Sequence, residues 1–313
     1  MAAVILVLAR TLHIGSAMFL VALPFFMLVM VSPVLTPETV GSHDSFCGRV
    51  IKWLWLTLIL EAISGVVWFW FVTAQISEQS PWGMLAPSDL RTVLWETQFG
   101  QLWLGRAVGG SALGVVLCFV RRSRKVLPSN ASLLHWLVLA ISAVLLVSVA
   151  WAGHAAAGIH HRFLHLLADT LHLLIGAIWP MGLIPLTCFL RHIDSENQIV
   201  PVDREIKVLQ RFSQTSLMAV LMLLATGFIN SWLMIGSWEG FVTTTYGKLL
   251  LGKVFLVGIM IGLGACNRLC LLPRMQENPI TFQTLRKTIL AESGLALVVL
   301  LIVGVMGMTS PPS

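Results

Sequence analysis

Charged side chains are scarce in this sequence: Asp, Glu, Lys and Arg supply 11% of its 313 residues against 57% for hydrophobic types, and mean hydropathy is +0.87. A chain so short of charge cannot coat a water-soluble globule, and the composition is that of a polytopic membrane protein. Long polar connectors are also lacking. The longest interval between apolar runs, at about 75–100, is too short for a separate soluble domain, so any chemistry must sit in the apolar segments or at their ends. The opening MAAVILVLAR has no basic n-region, and its apolar run continues past Pro24, which marks a first spanning helix and not a cleaved leader. No phosphate-cradling glycine loop, nucleophile elbow or internal repeat is evident. No serine, cysteine or paired-carboxylate arrangement suggests hydrolysis, and an enzyme is not expected.

What is present is a series of runs long enough to cross a hydrocarbon core, each of about 20 apolar residues. They fall at about 4–31, 52–74, 101–120, 133–152, 163–190, 212–235, 249–270 and 288–309. The expected fold is all-α, with residues 1–313 forming a single transmembrane domain of eight helices. The formal charge of +6 is not a nucleic-acid patch. Its cations gather in alternate loops: Arg49 and Lys52, Arg121 to Lys125, Arg191 to Arg211, and Arg268 to Lys287. The positive-inside rule makes those loops cytoplasmic and sends both termini to the outer side. In the second outer loop Ser88 reads as the N-cap of a short amphipathic turn, with Trp82, Trp95 and Trp103 suited to the membrane interface.

Histidine is concentrated on one side. His154, His160, His161, His165, Asp169 and His172 lie within nineteen residues, and on a helix 161, 165, 169 and 172 differ in angle by at most about 80°. Ionisable groups on an apolar helix are costly in lipid, so the stripe reads as a functional site facing the protein interior. His13 on the first run lies about 13 Å from the outer surface at 1.5 Å per residue, the depth of His172, and the two could meet. Glu61, near mid-depth on the second run, reads as the partner of a cation on another helix, with a proton relay as the alternative. The five cysteines, Cys47, Cys118, Cys188, Cys266 and Cys270, all fall at or near the cytoplasmic face. Imidazoles above and thiols below would suit a metal moving toward softer ligands, with Cys266 and Cys270, one turn apart, as a candidate exit. Met181 beyond Pro180 is a candidate thioether, although packing is the commoner role; Met218 and Met222, also one turn apart, read as core.

The segments ARTLHIGSAMF, ETQFGQLWLGR, GHAA, HLLADTLHLLIGAIWPMGL, RFSQTS, ATGFINSW, YGKLLLGK and ACNRLCLLP occur in this order. In that order they resemble the bacterial copper resistance protein D family (CopD/PcoD) over nearly the whole chain. The resemblance implies an inner-membrane protein of eight spans that handles copper, Cu+ or Cu2+, beside a periplasmic copper-binding partner of the CopC type, and moves it toward the cytoplasm. It also implies His13, His154, Asp169 and His172 as the residues of the site. Where the family often reads WxGGL, this chain has Trp179, Pro180, Met181, Gly182 and Leu183.

The leading expectation is therefore copper transport. His160, His161 and His165 would capture the ion at the outer mouth, and His13, His154 and His172 would hold it, with Asp169 orienting an imidazole or binding the metal itself. The alternative is a b-type cytochrome in which His13 and His172 ligate haem b; a membrane scaffold with no bound metal is a third. The topology is tested with reporter fusions. Alkaline phosphatase joined after residue 309 is expected to be active and the same enzyme inserted at residue 127 inactive; the opposite pattern would invert the chain.

Overall fold

The structure is a computed structural model that describes residues 1–34, 44–83, 85–122, 133–152, 162–195, 203–275 and 279–309. His154, His160 and His161 lie outside the described residues. Among the described residues every regular element is helical and there is no strand. The helices are α1 (Ala2–Phe25), α2 (Asp44–Ile76), α3 (Pro87–Glu96), α4 (Gln98–Arg122), α5 (Leu133–Trp151) and α6 (Arg162–Ile178). After them come α7 (Leu183–Ser195), α8 (Asp203–Ile235), α9 (Trp238–Thr243), α10 (Thr245–Cys266) and α11 (Pro279–Met306). Eight segments are long and apolar enough to cross a membrane: 2–34, 48–76, 98–122, 133–151, 163–192, 205–235, 245–274 and 280–306. We call them spans 1 to 8.

Local chemistry explains the irregular places. Past Pro24 the first span loosens into a π-helical turn, Phe26–Val31, as helices do where a proline removes an amide donor. Span 5 is broken. After α6 the chain turns through Trp179 to Gly182 before α7 starts, because Pro180 cannot continue the helical ladder. A Cβ on Gly182 would strike the Ile178 carbonyl, so the tight turn requires glycine there. The short outer helix α3 starts earlier than its serine suggests: Ala86 is the N-cap and Pro87 the first helical residue. Proline suits that position because its missing N–H would have no partner in any case. Ser88 is therefore inside the helix and not its cap. Trp82 and Trp95 are exposed as expected of interface residues, but Trp103 turns inward and is only partly exposed. Met218 and Met222 are likewise not core; both are exposed on the outer surface of the bundle.

The two halves of the chain repeat one plan, contrary to the reading that no repeat is present. Spans 1 to 4 correspond to spans 5 to 8, and in each half a short helix (α3 or α9) precedes the third span. The correspondence extends to residues. Ala9-Arg-Thr-Leu-His13 matches Ala168-Asp-Thr-Leu-His172, Ser64-Gly65 matches Thr226-Gly227, and TQFGQLWLGR at 97–106 matches TTYGKLLLGK at 244–253. The last pair also matches in geometry. Thr97 Oγ1 accepts from the Gly100 N–H and donates to the Val93 carbonyl; Thr244 Oγ1 accepts from Gly247 N–H and donates to the Gly240 carbonyl.

Four spans return a chain to the side it started from, so the halves share one orientation and their pseudo-two-fold axis lies along the bundle. The packing is reciprocal about that axis. Spans 1 and 5 touch each other, span 1 also packs on spans 4 and 8, and span 5 packs on the same two. The largest core cluster gathers residues from all eight spans, among them Leu20, Leu54, Leu117, Val138, Leu186, Phe212, Met260 and Phe282.

The repeated glycines are needed for close approach. A Cβ on Gly100 would collide with the Val93 carbonyl and Leu94 backbone, and one on Gly247 with the carbonyls of Gly240 and Phe241, whereas Gly252 faces open space. Gly100→Ala and Gly247→Ala are each expected to cost about 1–3 kcal/mol through overpacking, and Gly252→Ala to be nearly neutral. Thermal melting of the purified variants in detergent measures the difference.

Candidate functional site

The repeated histidines each sit at the heart of one half. His13 is 2% exposed, and its Nδ1–H donates to the Glu61 carbonyl oxygen at 2.9 Å. A carbonyl can only accept, so the proton is on Nδ1 and Nε2 of the neutral ring carries a lone pair. That nitrogen is buried, has no hydrogen-bond partner, and faces Glu61 Oε1 at 3.6 Å. The ring is held on both sides by aromatic residues: Trp103 stacks on it at 5.6 Å and Trp68 meets it edge-on at 5.4 Å. Gly65 gives the ring room, since a Cβ there would come within 2.9 Å of Cε1, and the Gly65 carbonyl accepts from Trp103 Nε1 at 2.9 Å.

Around this ring the charges are paired. Glu61 and Arg106, 4% and 6% exposed, join through Oε1 and Nη2 at 2.7 Å. Nη1 of Arg106 donates to the Leu145 carbonyl at 2.6 Å and to the Ser148 hydroxyl. The structural ion pair expected for Glu61 is thus present, and Arg106 supplies the cation. Arg10, one turn from His13, lies over the Trp68 ring at 4.8 Å.

The second centre has the same skeleton with different charges. Thr226 donates its hydroxyl proton to the Met222 carbonyl at 2.7 Å, which leaves its oxygen to accept from His172 Nδ1–H at 3.0 Å. Gly227 lies against Cε1 of this ring as Gly65 does against the other. Here, however, Nε2 accepts from the Lys253 ammonium at 3.4 Å. Asp169, one turn before His172, is 3.5 Å from Asn230 Nδ2, and Asn230 Oδ1 is buried without a partner. Tyr246 caps this region by donating to the Met234 sulfur at 3.0 Å.

Several expected site residues are placed elsewhere. His13 and His172 stand on adjoining spans but face different helices: His13 contacts α2 and α4, and His172 contacts α8 and α10. Among the described residues no three His, Cys, Asp or Glu side chains converge on one metal position. His165 is buried on α6 and Met181 is buried in the turn of span 5. Cys266 and Cys270 are free and exposed, and the helix widens into a π-turn, Asn267–Leu271, between them. Glu292 accepts from Asn267 Nδ2 and borders a cavity of about 310 Å³ with Trp179, Phe212, Ile261 and Leu285. The residues that sequence reasoning missed are Ser64, Thr226 and the tryptophan walls. The repeated pairing of a hydroxyl with a glycine opposite each histidine was the signal that could have found them.

Removing one partner of a buried ion pair leaves the other charge stranded, at about 3–5 kcal/mol. Glu61→Gln and Arg106→Gln alone are expected to destabilise on that scale, and Glu61→Gln with Arg106→Met to recover part of the loss, as read by denaturation in detergent.

Comparison with known proteins places the chain in a family. The model of the family described as Copper resistance protein D-like, N-terminal domain matches residues 1–162, and that of Copper resistance protein D matches 206–306. The chain is 29% identical to Copper resistance protein D of Pseudomonas syringae pv. tomato over 82% of each chain. It is 32% identical to Inner membrane protein YebZ of Escherichia coli (strain K12) over 62% of each. It is 31% identical to Copper transport protein CutJ of Bacillus subtilis (strain 168) over 74% of this chain and 41% of that one. No solved structure matches. With one model covering the first half and the other most of the second, the chain belongs to the copper resistance protein D family.

Proposed function

We propose that this protein moves copper across the bacterial cytoplasmic membrane, inward from the periplasm, and so contributes to copper resistance. The observation that carries the reading is the His13 imidazole. Its Nδ1–H is committed to a backbone carbonyl, while Nε2, buried and unpartnered, faces a carboxylate oxygen. Ligating histidines are commonly oriented in this way, with the second nitrogen donating to a carbonyl or carboxylate. Imidazole accepts both Cu(I) and Cu(II). Family membership and two relatives named for copper support the same cargo.

In this reading both termini are periplasmic and a CopC-type carrier delivers the ion. His154, His160, His161 and His165 take it at the outer end, and His13 with Glu61 receives it within the membrane. The aromatic walls exclude water, so the ion exchanges hydration for fixed donors. Met181, Cys266 and Cys270 are candidate stations on the cytoplasmic side. Haem b carried between His13 and His172 has no such support, because the two rings turn to different helices.

The test is copper accumulation in cells expressing the chain at equal membrane levels, read by elemental analysis. His13→Ala is expected to bring uptake down to that of cells lacking the protein, and Arg91→Ala, on the exposed outer helix α3, to leave it unchanged. Parental uptake in His13→Ala would remove this residue from the path, and a Soret band in the purified protein would replace the reading with a haem one.

A further inference from the structure

The two centres descend from one pattern, but only the first leaves its imidazole nitrogen open. In the first half, the cation at the position after Leu-Gly is Arg106. It is drawn away from the imidazole by three acceptors, Glu61 Oε1, the Leu145 carbonyl and the Ser148 hydroxyl. In the second half the matching residue is Lys253, and the segment VLLVSVA of span 4 is replaced by VLLIVGV in span 8, with Val303 where Ser148 stands. A lysine with no such hydroxyl to reach extends to the ring, and its ammonium lies 3.4 Å from His172 Nε2.

Without that ammonium the second centre would present an imidazole lone pair, the Asp169 carboxylate and the buried, unpartnered Oδ1 of Asn230. A nitrogen and two oxygens, one of them charged, form a cation-binding set. We propose that Lys253 is a built-in competitor: its ammonium, held on His172 Nε2, takes the lone pair on which a second copper-class site with Asp169 and Asn230 would be built, so that only the His13 centre is open. The inference rests on the copper reading above and adds the device that limits where the ion binds. The ammonium suits the role, being a compact point charge on a flexible stem.

The experiment measures Cu(II), the copper ion that a nitrogen and two oxygens suit, bound per chain after equilibrium dialysis of the purified full-length protein, with size-exclusion elution reporting the fold. Lys253→Ala is expected to bind one more ion than the parent, Lys253→Gln likewise, and Lys253→Arg no more than the parent. Adding His172→Ala to Lys253→Ala should remove the extra ion. Two results would overturn the proposal: a folded Lys253→Ala or Lys253→Gln chain with the parent's count, or an extra ion that survives the loss of His172. The two readings fail separately. A parent that binds copper through His13 while the lysine variants gain nothing sinks only the competitor. A parent that binds none, beside a His172-dependent gain in Lys253→Ala, sinks only the assignment to His13.

Discussion

Everything near the centre of this bundle depends on how an imidazole is held where water does not reach. A neutral ring has one nitrogen that must give a proton and one that must receive. In both halves the giving nitrogen is satisfied by the neighbouring helix, through the Glu61 carbonyl or the Thr226 hydroxyl. That choice fixes which nitrogen is left over and which way it points. What lies opposite then sets the chemistry: a carboxylate for His13, an ammonium for His172.

The ion pair of Glu61 and Arg106 follows from the same constraint. A lone carboxylate beside His13 would be too costly to bury. Arg106 neutralises it and is in turn fixed by span 4 through Leu145 and Ser148. The pair therefore ties spans 2, 3 and 4 together around the ring that span 1 supplies. Trp68 and Trp103 close the remaining sides, with Gly65 setting how near span 2 can approach.

Much of this was legible in the sequence. Apolar runs gave the eight spans, most of their bounds to within four residues, since a bilayer imposes length and hydropathy on each; spans 6 and 8 start seven and eight residues earlier than read, where polar first turns precede the apolar run. His13 and Glu61 were recognisable as buried polar groups on apolar helices, and Asp169 and His172 as partly buried ones. The internal repeat was missed because its identity is confined to a few short, widely separated segments inside apolar runs whose other positions differ. The equal depth of His13 and His172 was read as nearness. It also reflects equivalence: the two are the same residue of a repeated helix, and each ring makes its contacts with helices of its own half. Ser88 looked like a helix cap until Pro87 took the first position, and Trp103 looked interfacial because composition does not say which face of a helix a ring is on.

The shared orientation of the two halves has a further consequence. A symmetric pair of separate subunits must carry every substitution twice, so any change that blocks one ring blocks its mate as well. Fused into one polypeptide, the halves are free to differ, and here one has kept arginine while the other holds lysine. Covalent linkage thus makes asymmetry heritable: one half can leave its ring nitrogen uncovered while the other meets its own with a cation, a difference that two identical halves could not hold.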